Sequence, residues 1–207
     1  MAMTTADFIA PASDAELDRL AANLRARNFE VVIVQTGAEA KAEVLKRIPD
    51  GARIHSGKSK TLEDIGLFDT LMGSGDYDFV RKQTMKLDRV TQRREMVKLG
   101  ATPDLMINSV QAVTEAGQLV VVSASGSQIG AISGGAEKVI LVVGSQKVVP
   151  NLDAAFERIR EHVFPYEDAR LRETLGVGTR WTRTLIMEAE FTPGRTTVVL
   201  VKEQVGV

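Results

Sequence analysis

Val139-Ile-Leu-Val-Val143 is the stretch of this 207-residue sequence that decides its fold. Two similar apolar runs precede it, Leu105-Met-Ile107 and Leu119-Val-Val-Val122, and turns rich in glycine and serine separate the three runs. A strand with one face in water alternates between apolar and polar residues, whereas these runs are continuous. Continuous runs are typical of central strands that are covered on both faces, so the sequence predicts a buried and largely parallel sheet.

Helical and strand-like patterns alternate along the rest of the chain. Ser13 and Glu16 have the spacing of a capping box and begin an amphipathic segment that runs to Asn28. The other predicted elements are strands at 31–34, 53–55 and 196–201, helices at 38–48 and 80–99, and helices that begin at Thr61 and Asn151. Interleaved helices and strands favour an α/β fold: an open, largely parallel sheet with helices on both faces. We expect residues 1–207 to form one domain of this class.

The composition limits the classes of function. Lysine and arginine (26) nearly balance aspartate and glutamate (27), so no overall charge favours nucleic acid as a partner. The chain has no cysteine, which excludes disulfides and iron–sulfur clusters bound by its own thiolates. No motif assembles the three or four protein ligands that a zinc site needs. We therefore expect no metal and no cofactor.

The hydropathy pattern indicates where the protein works. Its longest apolar runs have about five residues, far below the roughly 20 that cross a bilayer. The segment Met1–Ser13 lacks the basic region and apolar stretch of a secretory signal. We expect a cytoplasmic protein without a membrane span.

A glycine-containing loop follows the predicted strand at 53–55, and its candidate ligand-binding residues are Ser56, Gly57, Lys58 and Ser59. Its Gly-Lys-Ser ending is similar to a phosphate-binding P-loop, but five residues separate Gly51 from Gly57 where that motif has four. The predicted strand also lies between the two glycines instead of preceding both, so we exclude a P-loop. Backbone N–H groups near a helix start can still bind an anion, although a plain strand-to-helix turn explains the same residues.

The densest group of candidates lies in the tract 108–128, which reads NSVQAVTEAGQLVVVSASGSQ. Small residues at strand ends let a ligand approach the backbone, and ligands of open α/β sheets bind at the carboxyl ends of the strands. We predict that Glu115 is a partly desolvated catalytic carboxylate; the alternative is that it caps a turn which the serines merely form. The candidate ligand-binding residues of this region are Asn108, Gly117, Ser123, Gly126 and Gln128, followed by Lys147.

The predicted helix at 80–99 carries seven basic residues against Asp88 and Glu95. A solvated helix face explains this asymmetry. The alternative is that some of its arginines flank a phosphate or carboxylate site: Arg81, Arg89, Arg93 and Arg94. Few aromatic residues accompany them, which argues against single-stranded nucleic acid.

Three segments together resemble the LUD (lactate utilisation) domain family, in its short, LutC/YkgG-like form: 56–67 (SGKSKTLEDIGL), 103–159 and 176–201. The resemblance implies an α/β fold similar to the NagB/RpiA/CoA-transferase group. It also implies a role in oxidising L-lactate to pyruvate, alongside partner proteins that carry iron–sulfur centres. We expect an accessory or ligand-binding component that recognises a small carboxylate or phosphorylated ligand.

One motif supports an alternative function. Thr114-Glu-Ala-Gly117 is similar to the Ser-Glu-x-Gly element of class I CoA-transferases, whose glutamate attacks the acyl thioester. This similarity implies a free-standing enzyme of the sugar-phosphate isomerase or CoA-transferase type that uses Glu115. Threonine replaces the serine here, alanine replaces the usual asparagine, and the chain has no glycine-rich CoA loop.

Overall fold

The computed structural model describes residues 8–88 and 90–207. Its main feature is a six-stranded sheet in which every pairing is parallel. The strands are β1 (Glu30–Val34), β2 (Arg53–His55), β3 (Asp78–Phe79), β4 (Leu105–Ser109), β7 (Lys138–Gly144) and β10 (Thr196–Val201). They lie in the order β1-β10-β7-β4-β2-β3. The predicted parallel sheet is confirmed, with the decisive run at 139–143 in a central strand.

A second sheet of four strands begins at the carboxyl end of β4. Its strands are β5 (Ala112–Thr114), β6 (Leu119–Ser123), β8 (Val148–Val149) and β9 (Arg183–Met187), in the order β8-β5-β6-β9. β6 is antiparallel to both of its neighbours, whereas β5 and β8 are parallel. Only Val110 and Gln111 separate β4 from β5, so this short link joins the two sheets.

Helices cover both faces of the large sheet, and the helix Leu152–Arg158 packs instead against β5 and β8 of the second sheet. They are α1 (Asp14–Ala26), α2 (Gly37–Lys46), α3 (Lys60–Asp64), α4 (Leu67–Gly73), α5 (Val80–Thr84), α6 (Arg93–Ala101), α7 (Leu152–Arg158) and α8 (Phe164–Leu175). π-helical turns lie at Ala131–Gly135 and Ile159–Val163, and the second of them joins α7 to α8. The capping box at the start of α1 is confirmed, because Ser13 N donates to Glu16 Oε2 at 2.7 Å and Glu16 N donates to Ser13 Oγ at 3.4 Å. In the described ranges no helix is both long and apolar enough to cross a membrane.

Alternate residues of β7 pack into two different hydrophobic clusters, which explains why its sequence is continuously apolar. Leu141 lies in a cluster that includes Leu20 and Leu24 of α1. Ile140 lies in the cluster on the other face, which includes residues of α2, α3 and α4 such as Leu62. Burying one such aliphatic side chain stabilises the fold by about 1.5–3 kcal/mol. Burial of both of its faces therefore holds β7 at the centre of the molecule.

The prediction of one long basic helix at 80–99 is wrong. The chain forms the two short helices α5 and α6 there, because Asp88 Oδ1 accepts hydrogen bonds from the backbone N of Val90 (3.1 Å) and of Thr91 (2.7 Å). A side chain that bonds to nearby backbone N–H groups favours a turn over a helix. The basic residues consequently do not share one helix face, and Arg89 lies outside the described residues.

Candidate functional site

Several of the predicted ligand-binding residues lie at the carboxyl edge of the six-stranded sheet. The segments 56–59, 110–111 and 145–147 follow β2, β4 and β7 respectively. Because the strands are parallel, their carboxyl ends meet at one edge, where ligands of open α/β sheets bind. This edge is the candidate site.

Lys147 is the most deeply buried charged residue that the sequence predicted, with 3% of its surface exposed. Its Nζ donates to Thr61 Oγ1 (2.7 Å), to Ser109 Oγ (2.9 Å) and to the carbonyl of Val110 (3.2 Å). All three acceptors are neutral oxygens. Burial, helped by the positive charge of Arg158, lowers the pKa of Lys147 to about 7.

The chain segment after β10 covers this lysine. Gln146 Nε2 donates to the carbonyls of Val205 (3.1 Å) and Gly206 (3.2 Å), which holds the segment against the sheet edge. Gly206 has a φ of +80°, and a Cβ at this position would lie 2.1 Å from Thr61 Oγ1. Only glycine allows so close an approach, and this approach completes the burial of Lys147.

A second polar group lies beside the loop that follows β2. A Cβ on Gly57 would lie 3.4 Å from Asn108 Oδ1 and 3.7 Å from Gln128 Cβ, so these residues surround the loop. Gln128 Oε1 accepts a hydrogen bond from Ser123 Oγ at 3.1 Å. Ser56 is fully buried, and its Oγ has no hydrogen-bond partner among the described residues. The structure thus brings together five of the predicted residues.

The other loop and turn candidates have separate positions. Lys58 is exposed, while the buried Ser59 caps α3 by accepting a hydrogen bond from Leu62 N at 3.4 Å. Gly126 makes room for β9, because a Cβ there would lie 2.8 Å from Arg183 Cδ. Anion binding by the loop at 56–60 stays a prediction.

Glu115 lies in the hairpin turn between β5 and β6, which also contains Gly117. Its backbone N donates to the carbonyl of Val149 at 2.8 Å, and its own carbonyl accepts from Asn23 Nδ2 at 2.7 Å. The tight turn places the Glu115 side chain in solvent, so the expected desolvation of this carboxylate is wrong. Gly117 packs against the end of α1, because a Cβ on Gly117 would lie 3.2 Å from Arg27 Cδ. A catalytic role for Glu115 stays a prediction.

Two charged residues near this edge were not predicted as site residues. Arg158 is fully buried, and its Nη1 donates to the carbonyl of Gln111 at 2.6 Å. It lies three and four residues after Ala155 and Ala154, so the sequence did place a charge beside an apolar helical stripe. His55 ends β2; burial, and secondarily the charge of Arg81, lowers its pKa to about 4.

Two shallow depressions lie near the amino ends of β7 and β10, and both are lined by Ser133, Glu190 and Arg195. Arg195 Nη1 donates to Glu190 Oε2 at 3.0 Å, and its Nη2 donates to the carbonyl of Ile132 at 3.0 Å. The guanidinium of Arg195 and the carboxylate of Glu190 therefore neutralise each other within the chain. None of the sequence-predicted site residues lines either depression.

The fold and this edge define a class: an α/β protein whose parallel sheet carries buried cations and polar side chains at its carboxyl ends. The chain belongs to the LUD domain family, whose model matches residues 17–201, and the family is associated with lactate utilisation. The resemblance seen in the sequence is therefore confirmed.

A solved structure with a TM-score above 0.5 supports the same fold. A crystal structure of a DUF162 family protein from Deinococcus radiodurans matches with a TM-score of 0.56 and 16% identity, over 92% of this chain and 99% of that one. Ribose 5-phosphate isomerase A from Neisseria gonorrhoeae matches with a TM-score of 0.35 and 15% identity, over 69% of this chain and 57% of that one. No curated protein matches the sequence significantly.

Proposed function

We propose that this protein is a ligand-binding component of lactate utilisation and that the carboxyl edge of its parallel sheet binds a small carboxylate or phosphorylated ligand. The observation that carries the proposal is Lys147, a buried amino group whose three hydrogen-bond partners are all neutral. Buried charges are ordinarily paired with an opposite charge. A bound anion would supply that charge.

The carboxylate that acts on Lys147 is already engaged elsewhere. Asp64 raises the pKa of Lys147, but burial and Arg158 lower it by more. Asp64 forms an ion pair with Lys60, and its Oδ2 accepts from Gly206 N at 2.9 Å. The positive charge of Lys147 is consequently left for a ligand.

Neutral groups flank the same strand end and would orient such a ligand. Asn108 and Ser109 are successive residues of β4, so their side chains lie on opposite faces of the sheet. Ser109 contacts Lys147, while Asn108 lies beside the loop that contains Ser56 and Gly57. A ligand across the end of β4 would meet the cation on one side and hydroxyl and amide groups on the other.

We assign the electron-accepting centres to iron–sulfur partner proteins. Oxidation of lactate to pyruvate releases two electrons, and this sequence offers no cysteine thiolate to hold a cluster. The family association with lactate utilisation supports this division of roles. We also place the protein in the cytoplasm, as the sequence predicts.

The test compares wild-type protein with Lys147→Met in calorimetric titrations with L-lactate, pyruvate and inorganic phosphate. We expect at least one anion to bind the wild type and none to bind Lys147→Met, which keeps most of the length of the unbranched side chain and removes its charge. Lys46→Met is the control, because the Lys46 side chain is 78% exposed. Unchanged affinity in Lys147→Met would contradict the proposal. A complementation assay, in which wild type or Lys147→Met restores growth on L-lactate to a strain that lacks this protein, tests whether binding is needed for lactate utilisation.

The alternative, a free-standing enzyme, depends on Glu115 and on its similarity to the CoA-transferase motif. An exposed Glu115→Gln substitution should leave the free energy of unfolding within about 0.5 kcal/mol of wild type. Loss of lactate-dependent growth in this stable variant would support the alternative, and full growth would reject it.

A further inference from the structure

Arg158 is a buried guanidinium, and the part of the chain that the structure describes leaves two of its donor atoms without an acceptor. The residue has no exposed surface, and its Nη1 donates to the carbonyl of Gln111 at 2.6 Å. Its Nε and Nη2 are also buried, yet neither has a hydrogen-bond partner among residues 8–88 and 90–207. Nearly all buried polar groups in folded proteins are paired, and each exception requires a physical explanation.

Arg170 shows what this edge of a guanidinium binds. Its Nε donates to Glu167 Oε2 at 2.8 Å and its Nη2 donates to Glu167 Oε1 at 2.7 Å. The two N–H groups form a planar fork that matches two oxygens of one carboxylate or phosphate group. Arg158 presents the same fork, but no carboxylate of the described chain pairs with it.

The surroundings of Arg158 carry excess positive charge. Arg158 and Lys147 bind the carbonyls of the adjacent residues Gln111 and Val110, in the link between the two sheets. The charge of Arg158 is among the causes that lower the pKa values of Lys147 and His162. Two buried cations next to each other repel, and an anion between or beside them removes that repulsion.

The backbone next to Arg158 departs from a regular α-helix. A π-helical turn, Ile159–Val163, begins at the residue that follows Arg158. Single π-helical turns within α-helices are frequent at functional sites, because they shift the side chains on either side of the turn relative to one another. This irregularity of the backbone is a second local feature, and it lies directly beside Arg158.

We infer that the Nε and Nη2 edge of Arg158 is an anion-binding subsite that takes a carboxylate or phosphate group of a small ligand, with Lys147 as its second positive charge. The inference rests on the proposed function and deepens it, since it names the group of the ligand that is recognised and the residue that recognises it. The fork requires two oxygens on one anionic group. A chloride ion or a neutral amide does not satisfy it.

The experiment measures affinities of the full-length protein for pyruvate, acetate and inorganic phosphate, with chloride and acetamide as probes that cannot fill the fork. Arg158→Lys retains the positive charge and removes the fork, so we expect affinity for the anion that binds to fall at least about tenfold. Arg170→Lys is the matched control, because Glu167 already occupies its fork, and its affinity should stay within about twofold of wild type. Preference for pyruvate and acetate identifies a carboxylate ligand, and preference for phosphate identifies a phosphorylated one.

Unchanged affinity in Arg158→Lys overturns the inference, and if Lys147→Met still loses binding, the proposed function survives without it. A wild-type protein that binds none of the anions contradicts the proposed function and the inference together. If Arg158→Lys does not fold, the NMR resonance of the Arg158 Nε–H group in the wild-type protein tests the inference instead. We expect saturating pyruvate or phosphate to shift this resonance, and an unmoved resonance overturns the inference.

Discussion

The proposed role of Lys147 predicts that anion binding depends on pH. Its pKa in the free protein is about 7, lowered first by burial. A bound anion raises this pKa, so above about pH 7 binding must take up a proton. Affinity is therefore highest below about pH 7 and falls by up to about tenfold per pH unit above it.

Calorimetric titrations with the anion that binds, between about pH 6 and about pH 9, measure this dependence. The same series on Lys98→Met, a change in an exposed lysine, should reproduce the wild-type curve. A wild-type affinity that stays constant over the range would show that Lys147 does not hold the anion.

His55 should make the folded protein sensitive to acid. Burial, then the charge of Arg81, lowers its pKa to about 4, whereas a histidine in an unfolded chain has a pKa of about 6.5. Between these values the unfolded chain binds a proton that the folded protein does not. Its contribution to stability is complete above about pH 6.5 and is lost as the pH falls toward about 4, on the order of 3 kcal/mol in total.

Urea unfolding of wild type and His55→Gln at about pH 7 and about pH 4.5 tests this sign and size. We expect the free energy of unfolding of His55→Gln to change much less with pH than that of wild type. His162→Gln controls for the other histidine. Equal acid dependence in wild type and His55→Gln would show that His55 is not the group responsible.

Residues of the candidate site divide into those that sequence could predict and those that it could not. Asn108 and Lys147 were predicted because they follow recognisable apolar strands, and strand ends converge in a parallel sheet. Arg158 was missed because helical periodicity alone does not tell whether a charge at the margin of an apolar stripe is buried. The desolvation expected for Glu115 was wrong because the exposure of a hairpin turn depends on the pairing of its strands.

At the scale of elements, the π-helical turn Ala131–Gly135 packs closely against α6. A Cβ on Gly135 would lie 2.0 Å from the carbonyl oxygen of Ala101 and 3.0 Å from that of Gly130, and both are backbone atoms. Gly135→Ala must therefore move the turn away from α6. We expect a loss of about 1–3 kcal/mol in the free energy of unfolding.

Gly134→Ala is the matched control for this prediction, because no atom lies within 4 Å of a Cβ at that position. Chemical denaturation of the two variants and of wild type gives the comparison. Equal stability of Gly134→Ala and Gly135→Ala would show that α6 adjusts without loss.

Elements were predictable where their signals are local. The capping box of α1 lies within four residues. The continuous apolar run of β7 predicts, without any other part of the chain, that this strand is buried on both faces. The second sheet was not predicted as a separate unit, because β5 and β8 have three and two residues and depend on pairing with distant strands. The long helix at 80–99 failed because one aspartate side chain, that of Asp88, satisfies the backbone in a turn.

The whole molecule should unfold in one cooperative transition. The chain passes between the two sheets at four places: from β4 to β5, from β6 to β7, from β7 to β8 and from β9 to β10. Neither sheet is a continuous segment, so neither can separate from the other without breaking several connections. We therefore expect calorimetric and van't Hoff enthalpies of unfolding to agree, as they do for a two-state domain.

Scanning calorimetry tests this expectation of a single domain. Repeating the scan with the anion that binds should move one transition to higher temperature without splitting it. Two resolved transitions, of which the anion moves only one, would instead show two units of separate stability.

The pairing of β1 with β10 has a consequence for the synthesis of this protein. Glu30 to Val34 of β1 pair with Thr197 to Val201 of β10. Because β1 is synthesised early and β10 near the end, β1 cannot form this pairing until most of the chain has been made. At about 5–20 residues per second, a ribosome needs roughly ten to thirty seconds to supply the partner. Throughout that interval the nascent chain presents the unpaired edge of β1 to its neighbours on the same polysome, and once residue 144 has been made it also presents the edge of β7 that β10 will cover. The rate of translation through the second half of the message, and the chaperones that meet the chain there, therefore influence how much of it reaches the native state.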